Sequence, residues 1–433
     1  MDIFAHNTIK TYKVNDILVA ANEPRRKHAH PIVYMFLVLP FGIGGGYVSV
    51  GLAYLFRNGG ISIESIAVLS AAGIIVNVAK FLWAPLVDAF LTLKKWYVLS
   101  CLVTSLGLLS MGFFPIVQSS IIPLVLIIII SNFASSFLGT AISGIAAHDV
   151  REELKGRISG YYNAGNLGGA GVGGGIGLWL AQNTNHLWMP TAALAILSML
   201  CCFGLFYVHE PLAIIRDSKL SKTMSNLLKD IWNTLKVRTG ILAMVLCFLP
   251  LGTGAAQNLW AAIAGNWNAS AGTVEFVTGI MSGLITAAGC LLGGWICDRS
   301  DRKNAYVVFG LLLALSAVAM AYSPHTELMY ALWTSIYAFV LGLCYAAFSA
   351  FVFEAIGKGA AGTKYTIFAS LSNAPIAIMT LVDGWAYTHF DKTGKGPEGM
   401  LDIEAVIGVL GIIIFLILVK VLKKKPEGTA AAA

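Results

Sequence analysis

Charged residues are scarce in this sequence of 433 residues. Only 12% are charged and 57% are apolar, whereas an ordinary soluble domain carries roughly 25% charged residues. The apolar residues also run in unbroken blocks, which excludes a soluble fold and the disordered, collagen-like and disulfide-rich secreted classes. Lys and Arg outnumber Asp and Glu by 29 to 22, and we attribute this surplus to membrane topology, with no nucleic-acid partner. The sequence therefore predicts a protein embedded in a lipid bilayer.

Metal-binding and catalytic motifs are also missing. The seven cysteines fall inside apolar blocks, and no two have the spacing of a metal knuckle, so we interpret them as small hydrophobic residues. Neither His-Glu-x-x-His nor Gly-x-Ser-x-Gly occurs. We expect no metal, no cofactor and no enzyme activity.

The N-terminus shows no signal peptide, because a polar, basic segment precedes the first apolar block, so we expect the first helix to stay as an anchor.

Twelve apolar blocks are long enough to cross a bilayer, whose core of about 30 Å needs about 20 apolar residues per helix. They span residues 32–56, 62–86, 96–117, 121–146, 158–181, 188–208, 240–265, 273–297, 304–322, 327–353, 363–388 and 402–422. We predict an all-α integral membrane protein with two six-helix bundles. Its regions are a cytoplasmic N-terminal segment (1–31), an N-terminal bundle (32–208), a cytoplasmic linker (209–239), a C-terminal bundle (240–422) and a cytoplasmic tail (423–433).

The distribution of Lys and Arg between the loops predicts the orientation. If the first segment is cytoplasmic, most basic residues lie on the cytoplasmic side, as the positive-inside rule requires. Arg57, Lys392 and Lys395 then lie outside, and Lys80 lies within a helix. We therefore expect a multi-pass protein with both termini in the cytoplasm.

The two halves of the sequence repeat each other. The segment Leu-Pro-Phe-Gly-Ile-Gly at 39–44 returns as Leu-Pro-Leu-Gly-Thr-Gly at 249–254, and the same offset carries Asp88 onto Asp298. Matching positions in the same order, on helices that enter from the same side, predict two parallel, pseudosymmetric halves. In such an arrangement the solute site lies between the halves. The Pro and Gly residues of the repeated segment also predict an interruption in helices 1 and 7.

The clearest motif ends the eighth block, at 294–303. It matches the Gly-x-x-x-Asp-Arg-x-Gly-Arg-Lys signature of the major facilitator superfamily, with Asp301 where the second Gly is usual. The Gly permits close helix approach, and the charged groups can hold neighbouring helix ends in one conformational state. We assign to this conformational latch Asp88, Gly294, Asp298, Arg299, Arg302 and Lys303.

Two further stretches resemble one branch of that superfamily. Pro-Phe-Gly at 40–42 and Lys-Phe-Leu-Trp-Ala-Pro-Leu-Val-Asp at 80–88 are similar to the AmpG-type muropeptide permeases and acetyl-coenzyme A transporters. We predict a monomeric symporter of the bacterial inner membrane that moves a bulky, anionic solute with protons by alternating access, and the resemblance implies uptake into the cytoplasm. This branch spans muropeptides, coenzyme A thioesters and iron–siderophore complexes, which stay open as solutes. An uncoupled facilitator is the further alternative.

Lys80 is the first candidate site residue. It lies eight residues before Asp88, about 12 Å along the helix, which is too deep for easy access to the cytoplasmic face. A charge near a helix centre costs about 2.5 to 3.5 kcal/mol on insertion scales. Two interpretations stay open: a cation in the cavity that binds an anionic group of the solute, or one partner of a buried ion pair.

Carboxyl groups within the helices are candidates for proton coupling, because desolvation disfavours their charged form. We assign this role to Asp383, Glu354 and Asp149, although an ion pair with Arg151 or Arg157 is an alternative for Asp149.

Polar and aromatic residues within the spans are candidates for solute binding. Besides Lys80 they are Tyr47, Asn77, Tyr162, Asn163, Asn166, Gln257, Asn258, Trp260 and Asn373.

Glycines recur at every fourth position of the fifth block. Gly165, Gly169, Gly173 and Gly177 form a ladder on one helix face. Small residues at this spacing let the backbones of two helices approach closely. We therefore expect another helix to pack directly against this face.

Overall fold

The computed structural model describes residues 29–30, 32–149, 155–209, 238–356 and 367–424, together with Lys229, Trp232 and Lys236. Most of the predicted linker and the two predicted terminal segments lie outside these ranges. The side chains of Asp88, Asp149 and Glu354 also lie outside the described part of the chain. We use "outer" for the end of the bundle at which α1 ends and α2 begins, and "inner" for the opposite end, following the predicted orientation.

The N-terminal half contains six helical segments. They are α1 (Ile32–Asn58), α2 (Ile63–Val78 and Lys80–Ala89), α3 (Leu93–Met111), α4 (Ile121–Asp149), α5 (Lys155–Gly171, Val172–Ile176 and Gly177–Asn183) and α6 (Trp188–Phe206). Ala79 interrupts α2. Val172–Ile176 forms a widened turn inside α5.

The C-terminal half repeats this series. Its segments are α7 (Arg238–Leu246, Ala255–Leu259, Trp260–Ile263 and Ala264–Trp267), α8 (Ala271–Cys297), α9 (Arg302–Ala321), α10 (Glu327–Ile356), α11 (Ile367–Asp391) and α12 (Gly396–Lys424). The described residues contain no β-strand, so the prediction of an all-α protein is confirmed.

Eight of the described helices are long and apolar enough to cross a membrane: α1, α4, α6 and α8 to α12. The predicted twelve crossings are compatible with this set, since α2, α5 and α7 are interrupted and α3 carries two lysines in its first turn. Large apolar side chains on the outside of the bundle, such as Ile122 (73%), Leu291 (79%) and Leu328 (72%), are mostly exposed. These surfaces match hydrocarbon rather than water.

The contacts between the halves follow the predicted pseudosymmetry. Helix α2 packs against α11, and α5 packs against α8. Because α8 is the counterpart of α2 and α11 is the counterpart of α5, the two contacts are equivalent. Within the halves, α4 packs against α2 and α3, and α10 packs in the same way against α8 and α9. The structure therefore consists of two parallel, pseudosymmetric bundles.

The glycine ladder of α5 brings its backbone against that of α1. A Cβ atom added at Gly165, Gly169 or Gly173 would lie 2.3, 2.3 and 2.0 Å from backbone oxygens of α1. No side chain fits at these positions, so the predicted close approach is confirmed. The fourth glycine, Gly177, lies against the ring of Tyr47.

The repeated Pro-Gly segment has two conformations. In α7 the helix stops after Leu246, and Gly252 and Gly254 both have a φ of +64°, which glycine adopts at little cost. In α1 the chain stays helical across Pro40, so the predicted interruption is wrong there. Gly42 and Gly46 lie directly against the α5 backbone, and this packing supports the helix. The widened turn of α1 comes later, at Tyr47–Leu52.

Candidate functional site

Asp383 on α11 is fully buried and has no hydrogen-bond partner among the residues that the structure describes. Its exposed fraction is 0%, and neither carboxylate oxygen accepts a hydrogen bond within the described part of the chain. It lies eight residues, about 12 Å, before the end of α11 at Asp391. Leaving a buried polar group unpaired costs about 1–3 kcal/mol. Such a residue is a candidate for a functional role.

Glu404 lies on α12, which packs against α11, and it accepts hydrogen bonds from two donors. The hydroxyl of Tyr337 on α10 donates to Glu404 Oε1 at 2.5 Å, and the amide of Ala256 on α7 donates to the same oxygen at 3.3 Å. Helix α11 packs against α12, and Thr380, one turn before Asp383, bonds to Asn258 in the same short turn of α7 that bonds to Glu404. Glu404 Oε2 is buried and has no partner among the described side chains and backbone groups. A cavity of about 20 Å³, which has room for one water molecule, adjoins Tyr337 and Glu404.

The turn of α7 after the left-handed glycines connects this pair to the rest of the bundle. Asn258 Nδ2 donates to Thr380 Oγ1 on α11 at 3.0 Å, and Ser70 Oγ on α2 donates to the Asn258 carbonyl at 3.4 Å. Gln257 Nε2 donates to Ser282 Oγ on α8 at 3.4 Å. The Asn258 contact with Ser70 therefore joins the two halves. The polar residues of the site in the C-terminal half are therefore Gln257, Asn258, Tyr337, Thr380, Asp383 and Glu404.

The outer ends of the two halves are joined by a second hydrogen-bond chain. Arg57 on α1 donates to the hydroxyl of Tyr387 on α11 at 3.1 Å, and that hydroxyl donates to Asn266 Oδ1 on α7 at 3.0 Å. The guanidinium carbon of Arg57 also lies 5.5 Å from the centre of the Tyr387 ring, within cation–π range. On α11, Gly384 packs against Ala67 and Glu64 of α2. The outer side of the bundle is therefore closed along α1, α2, α7 and α11.

Lys80 begins the second segment of α2, directly after the interruption at Ala79. Its side chain is half-buried and has no hydrogen-bond or ion-pair partner within the described part of the chain. Asn77, three residues earlier, donates to the Gly73 carbonyl, and its Oδ1 is buried without a partner. Among the described residues, the interruption of α2 thus carries a cation and an acceptor without partners.

The predicted polar residues of α5 do not all share one environment. Tyr162 packs among Phe41, Gly139 and Ser143, on the side of α5 that faces α1 and α4. Asn163 is exposed, and Asn166 is half-buried.

Three further candidates point into the protein or back to their own helix. Tyr47 is 0% and Trp260 is 2% exposed; Trp260 packs edge-on against Tyr337, with ring centres 5.1 Å apart. Asn373 donates to the carbonyls of Ala369 and Ser370 in its own helix. In this conformation Tyr47 and Trp260 belong to the core.

The latch residues lie at the inner end of α8 and the start of α9. Asp298 is exposed. Arg299 donates to the Trp295 carbonyl at 3.2 Å and stacks on the Trp295 ring at 4.3 Å. Asp301, which replaces the usual Gly, caps α9 by accepting from the Asn304 amide at 3.0 Å. Nothing lies within 4 Å of a Cβ added at Gly294; α8 instead meets α10 at Gly289 and Gly293. In this conformation Arg299 therefore interacts with its own helix.

The sequence pattern predicts no role for Glu404 or Tyr337, and it predicts of Arg57 only that it lies on the outer side. The sequence predicts that the last helix begins at residue 402, so Glu404 has the position of an acidic residue in a first turn. The helix in fact begins at Gly396, which places Glu404 more than two turns inside it. The signal that could have found Glu404 is an acidic residue flanked by apolar residues, Ile403 and Ala405.

A large apolar groove lies away from these polar residues. It has a volume of about 780 Å³ and runs between α3 and α6, among side chains such as Leu106, Ile196 and Phe203. These side chains are 55–61% exposed on the outside of the bundle. We interpret the groove as a lipid-facing surface, and the site described above is separate from it.

The chain belongs to the Major Facilitator Superfamily, whose sequence model matches residues 34–380. A comparison with curated protein sequences gives no match. This family, together with the fold, identifies the chain as a multi-pass membrane protein of a transporter family rather than an enzyme family.

Solved transporters have the same fold. The nucleoside transporter NupG is 18% identical, with a TM-score of 0.70, over 90% of this chain and 98% of its own. A D-xylose–proton symporter is 13% identical, with a TM-score of 0.68, over 89% and 96%. A bacterial homologue of the human lysosomal transporter Spinster, in an inward-facing and unoccupied conformation, is 12% identical, with a TM-score of 0.69, over 92% and 98%. At these identities the similarity establishes the fold alone.

Proposed function

We propose that this protein is a secondary active transporter that takes up a bulky, anionic organic solute together with protons across a bacterial inner membrane. The observation that carries the proposal is Lys80, a half-buried cation without a hydrogen-bond or ion-pair partner among the described residues. A charge inside a membrane-spanning helix is costly unless it has a function or a partner. An anionic group of the solute would supply that partner.

The solute class follows from Lys80 and from the stretch in which it lies. The unpaired Oδ1 of Asn77 and the exposed Asn163 can contribute hydrogen bonds to a large polar solute. The segment 80–88 resembles that of AmpG-type permeases, so a muropeptide is the first candidate. Coenzyme A thioesters and iron–siderophore complexes are anionic as well and are the next candidates.

Asp383 is the proposed carrier of the coupled proton. It is fully buried, and no described residue donates a hydrogen bond that would stabilise its charge, so binding and release of a proton change the local energy strongly. Glu354 and Asp149 are further candidates for proton transfer near the inner ends of α10 and α4. Their side chains lie outside the described residues.

Alternating access would arise from rocking of the halves about the α2–α11 and α5–α8 contacts. The outer hydrogen-bond chain closes one side, and release of the solute would then occur on the inner side. The latch from Asp88 and the 294–303 segment would bias the opposite state. We further propose that the transporter is monomeric and has both termini in the cytoplasm.

Uptake into liposomes tests this function. Purified full-length protein is reconstituted with the outside more acidic than the inside, and a labelled muropeptide, a ferric siderophore and a coenzyme A thioester are offered in turn. We expect accumulation of one of the three that depends on the pH gradient and stops when a protonophore collapses it. If none of them accumulates, the proposed function is wrong.

An uncoupled facilitator with the same fold is the second candidate. Asp383→Asn and Glu354→Gln separate the two mechanisms, because exchange of solute across the membrane at equal pH needs no net proton movement. For a symporter, we expect Asp383→Asn, Glu354→Gln or both to retain exchange and lose accumulation. If the wild type and both variants exchange solute but none of them accumulates it when a pH gradient is imposed, the facilitator is favoured.

A further inference from the structure

The carboxyl pair Asp383–Glu404 is asymmetric. Glu404 Oε1 accepts hydrogen bonds from the Tyr337 hydroxyl and the Ala256 amide, and both donors stabilise a negative charge. Asp383 has no donor on either oxygen within the described part of the chain. Helices α11 and α12 pack against each other, so negative charges on both residues would repel each other in a medium of low dielectric. The arrangement therefore favours an ionised Glu404 beside a protonated Asp383.

Glu404 is also attached to the segment of α7 that joins the two halves. The amide that it accepts from, at Ala256, follows the left-handed Gly254 by two residues and precedes Asn258 by two. Asn258 in turn contacts Thr380 on α11 and Ser70 on α2 of the other half. A movement of Glu404 would thus be transmitted through one short turn to a contact between the halves.

We infer that Glu404 is a positioning residue that links the protonation of Asp383 to the Asn258–Ser70 contact between the halves, through the α7 turn. This inference rests on the proposed function, in which Asp383 carries the coupled proton. When Asp383 is protonated, it carries no charge that repels Glu404. The hydrogen bonds of Glu404 then hold the α7 turn in the position seen here. When the proton leaves to water, repulsion between the two carboxylates displaces Glu404 and loosens that turn.

Other titratable groups surround this pair on the neighbouring helices. Tyr337 and Cys344 lie on α10, Tyr387 lies one turn away on α11, and Glu64 lies on α2 beside Gly384. The thiol and the hydroxyls are neutral at ordinary pH. Glu64 is exposed to solvent, which weakens its influence. The proton equilibrium of the pair is therefore governed mainly by Asp383 and Glu404.

Two measurements on the full-length protein in lipid test the inference without a solute. Infrared difference spectra between high and low pH detect the protonated carboxyl group. Distances between spin labels at Ser119 and Thr326, which directly precede α4 and α10 at the outer side, detect opening of that side in a cysteine-free background. Both positions are exposed. Wild type should show one carboxyl band and a label distance that increases at high pH, with the same midpoint.

Glu404→Gln should keep the carboxyl band but shift its midpoint to lower pH, because the removed charge no longer opposes ionisation of Asp383. The label distance should no longer follow the band. Asp402→Asn is the matched control: Asp402 lies on the same helix and accepts a hydrogen bond from Tyr322 at 2.7 Å, at the outer end of the bundle. It should behave like the wild type.

Tyr337→Phe keeps the carboxylate of Glu404 and removes one of the two groups that donate hydrogen bonds to it. This variant therefore tests the inference if Glu404→Gln does not fold. We expect it to weaken the link between the carboxyl band and the label distance. If Glu404→Gln or Tyr337→Phe matches Asp402→Asn in both measurements, the inference is wrong, whereas the proposed function stands. If Asp383→Asn retains both the carboxyl band and gradient-driven accumulation, the proton carrier itself has been assigned wrongly.

Discussion

At the scale of single residues, Lys80 provides the sharpest test of the solute class. The prediction concerns Lys80→Gln, which removes the charge and retains a polar side chain of similar length. Loss of a hydrogen bond between charged groups costs about 1.5–3 kcal/mol, so we expect the apparent affinity for the anionic solute to fall about tenfold or more. The measurement is the KM of uptake into liposomes, with Lys80→Arg expected to retain part of the affinity.

A matched control separates this local effect from the loss of positive charge in general. Lys95 lies at the inner end of α3 and is exposed, so Lys95→Gln removes the same charge away from the proposed site. We expect its KM to stay near the wild-type value. Equal KM values for Lys80→Gln and wild type would favour the alternative interpretation of Lys80 as a structural residue.

The sequence predicts some of these residues better than others. Asp383 and Lys80 stand out because charged residues inside apolar blocks are costly whatever the details of the fold. Tyr337 does not stand out, since a tyrosine in a membrane helix is ordinary, and only the fold brings its hydroxyl to Glu404. Tyr47 and Trp260 show the reverse, because polar atoms on large aromatic rings do not reveal whether a ring faces a cavity or the core.

At the scale of elements, the repeated Pro-Gly segment allows a comparison within one chain. Gly254 has a φ of +64°, and a Cβ there would lie 2.4 Å from Leu341. Its counterpart Gly44 is helical, with nothing within 4 Å of a Cβ. We predict that Gly254→Ala lowers the free energy of unfolding by about 1–3 kcal/mol, and that Gly44→Ala changes it little or raises it by up to about 1 kcal/mol.

Thermal unfolding of both variants in detergent measures this difference. The apparent midpoint should fall for Gly254→Ala and stay near the wild type for Gly44→Ala. Equal midpoints for the two variants would mean that the α7 turn carries no conformational requirement for glycine, and that the two copies of the segment are interchangeable.

This segment also shows where element prediction from sequence stops. The composition predicts an interruption at both copies, because Pro removes an amide donor and Gly weakens a helix. Helix α1 stays intact since Gly42 and Gly46 lie against the α5 backbone, and this is a tertiary contact. The glycine ladder of α5 is predictable in contrast, because its spacing alone defines a helix face that excludes side chains.

At the scale of the whole molecule, most of the duplicated architecture can be predicted from the sequence. The order of apolar blocks and the repeated landmarks predict two parallel halves, and the pairing of α2 with α11 and of α5 with α8 agrees with them. The conformational state cannot be predicted from the sequence in the same way. It depends on contacts such as that between Arg57 and Tyr387, 330 positions apart, whose partners no local pattern connects.

The outer hydrogen-bond chain leads to a prediction about the equilibrium between states. Tyr387→Phe removes the hydroxyl that accepts from Arg57 and donates to Asn266. A typical hydrogen bond contributes about 0.5–1.5 kcal/mol, so losing both should shift the population towards the outward-open state by about fivefold or more. The label distance between Ser119 and Thr326 measures that shift. Tyr322→Phe removes a hydroxyl bonded to Asp402 within the C-terminal half and should leave the distance unchanged. If Tyr387→Phe shows the same distances as Tyr322→Phe, the Arg57–Tyr387–Asn266 chain does not hold the outer side closed.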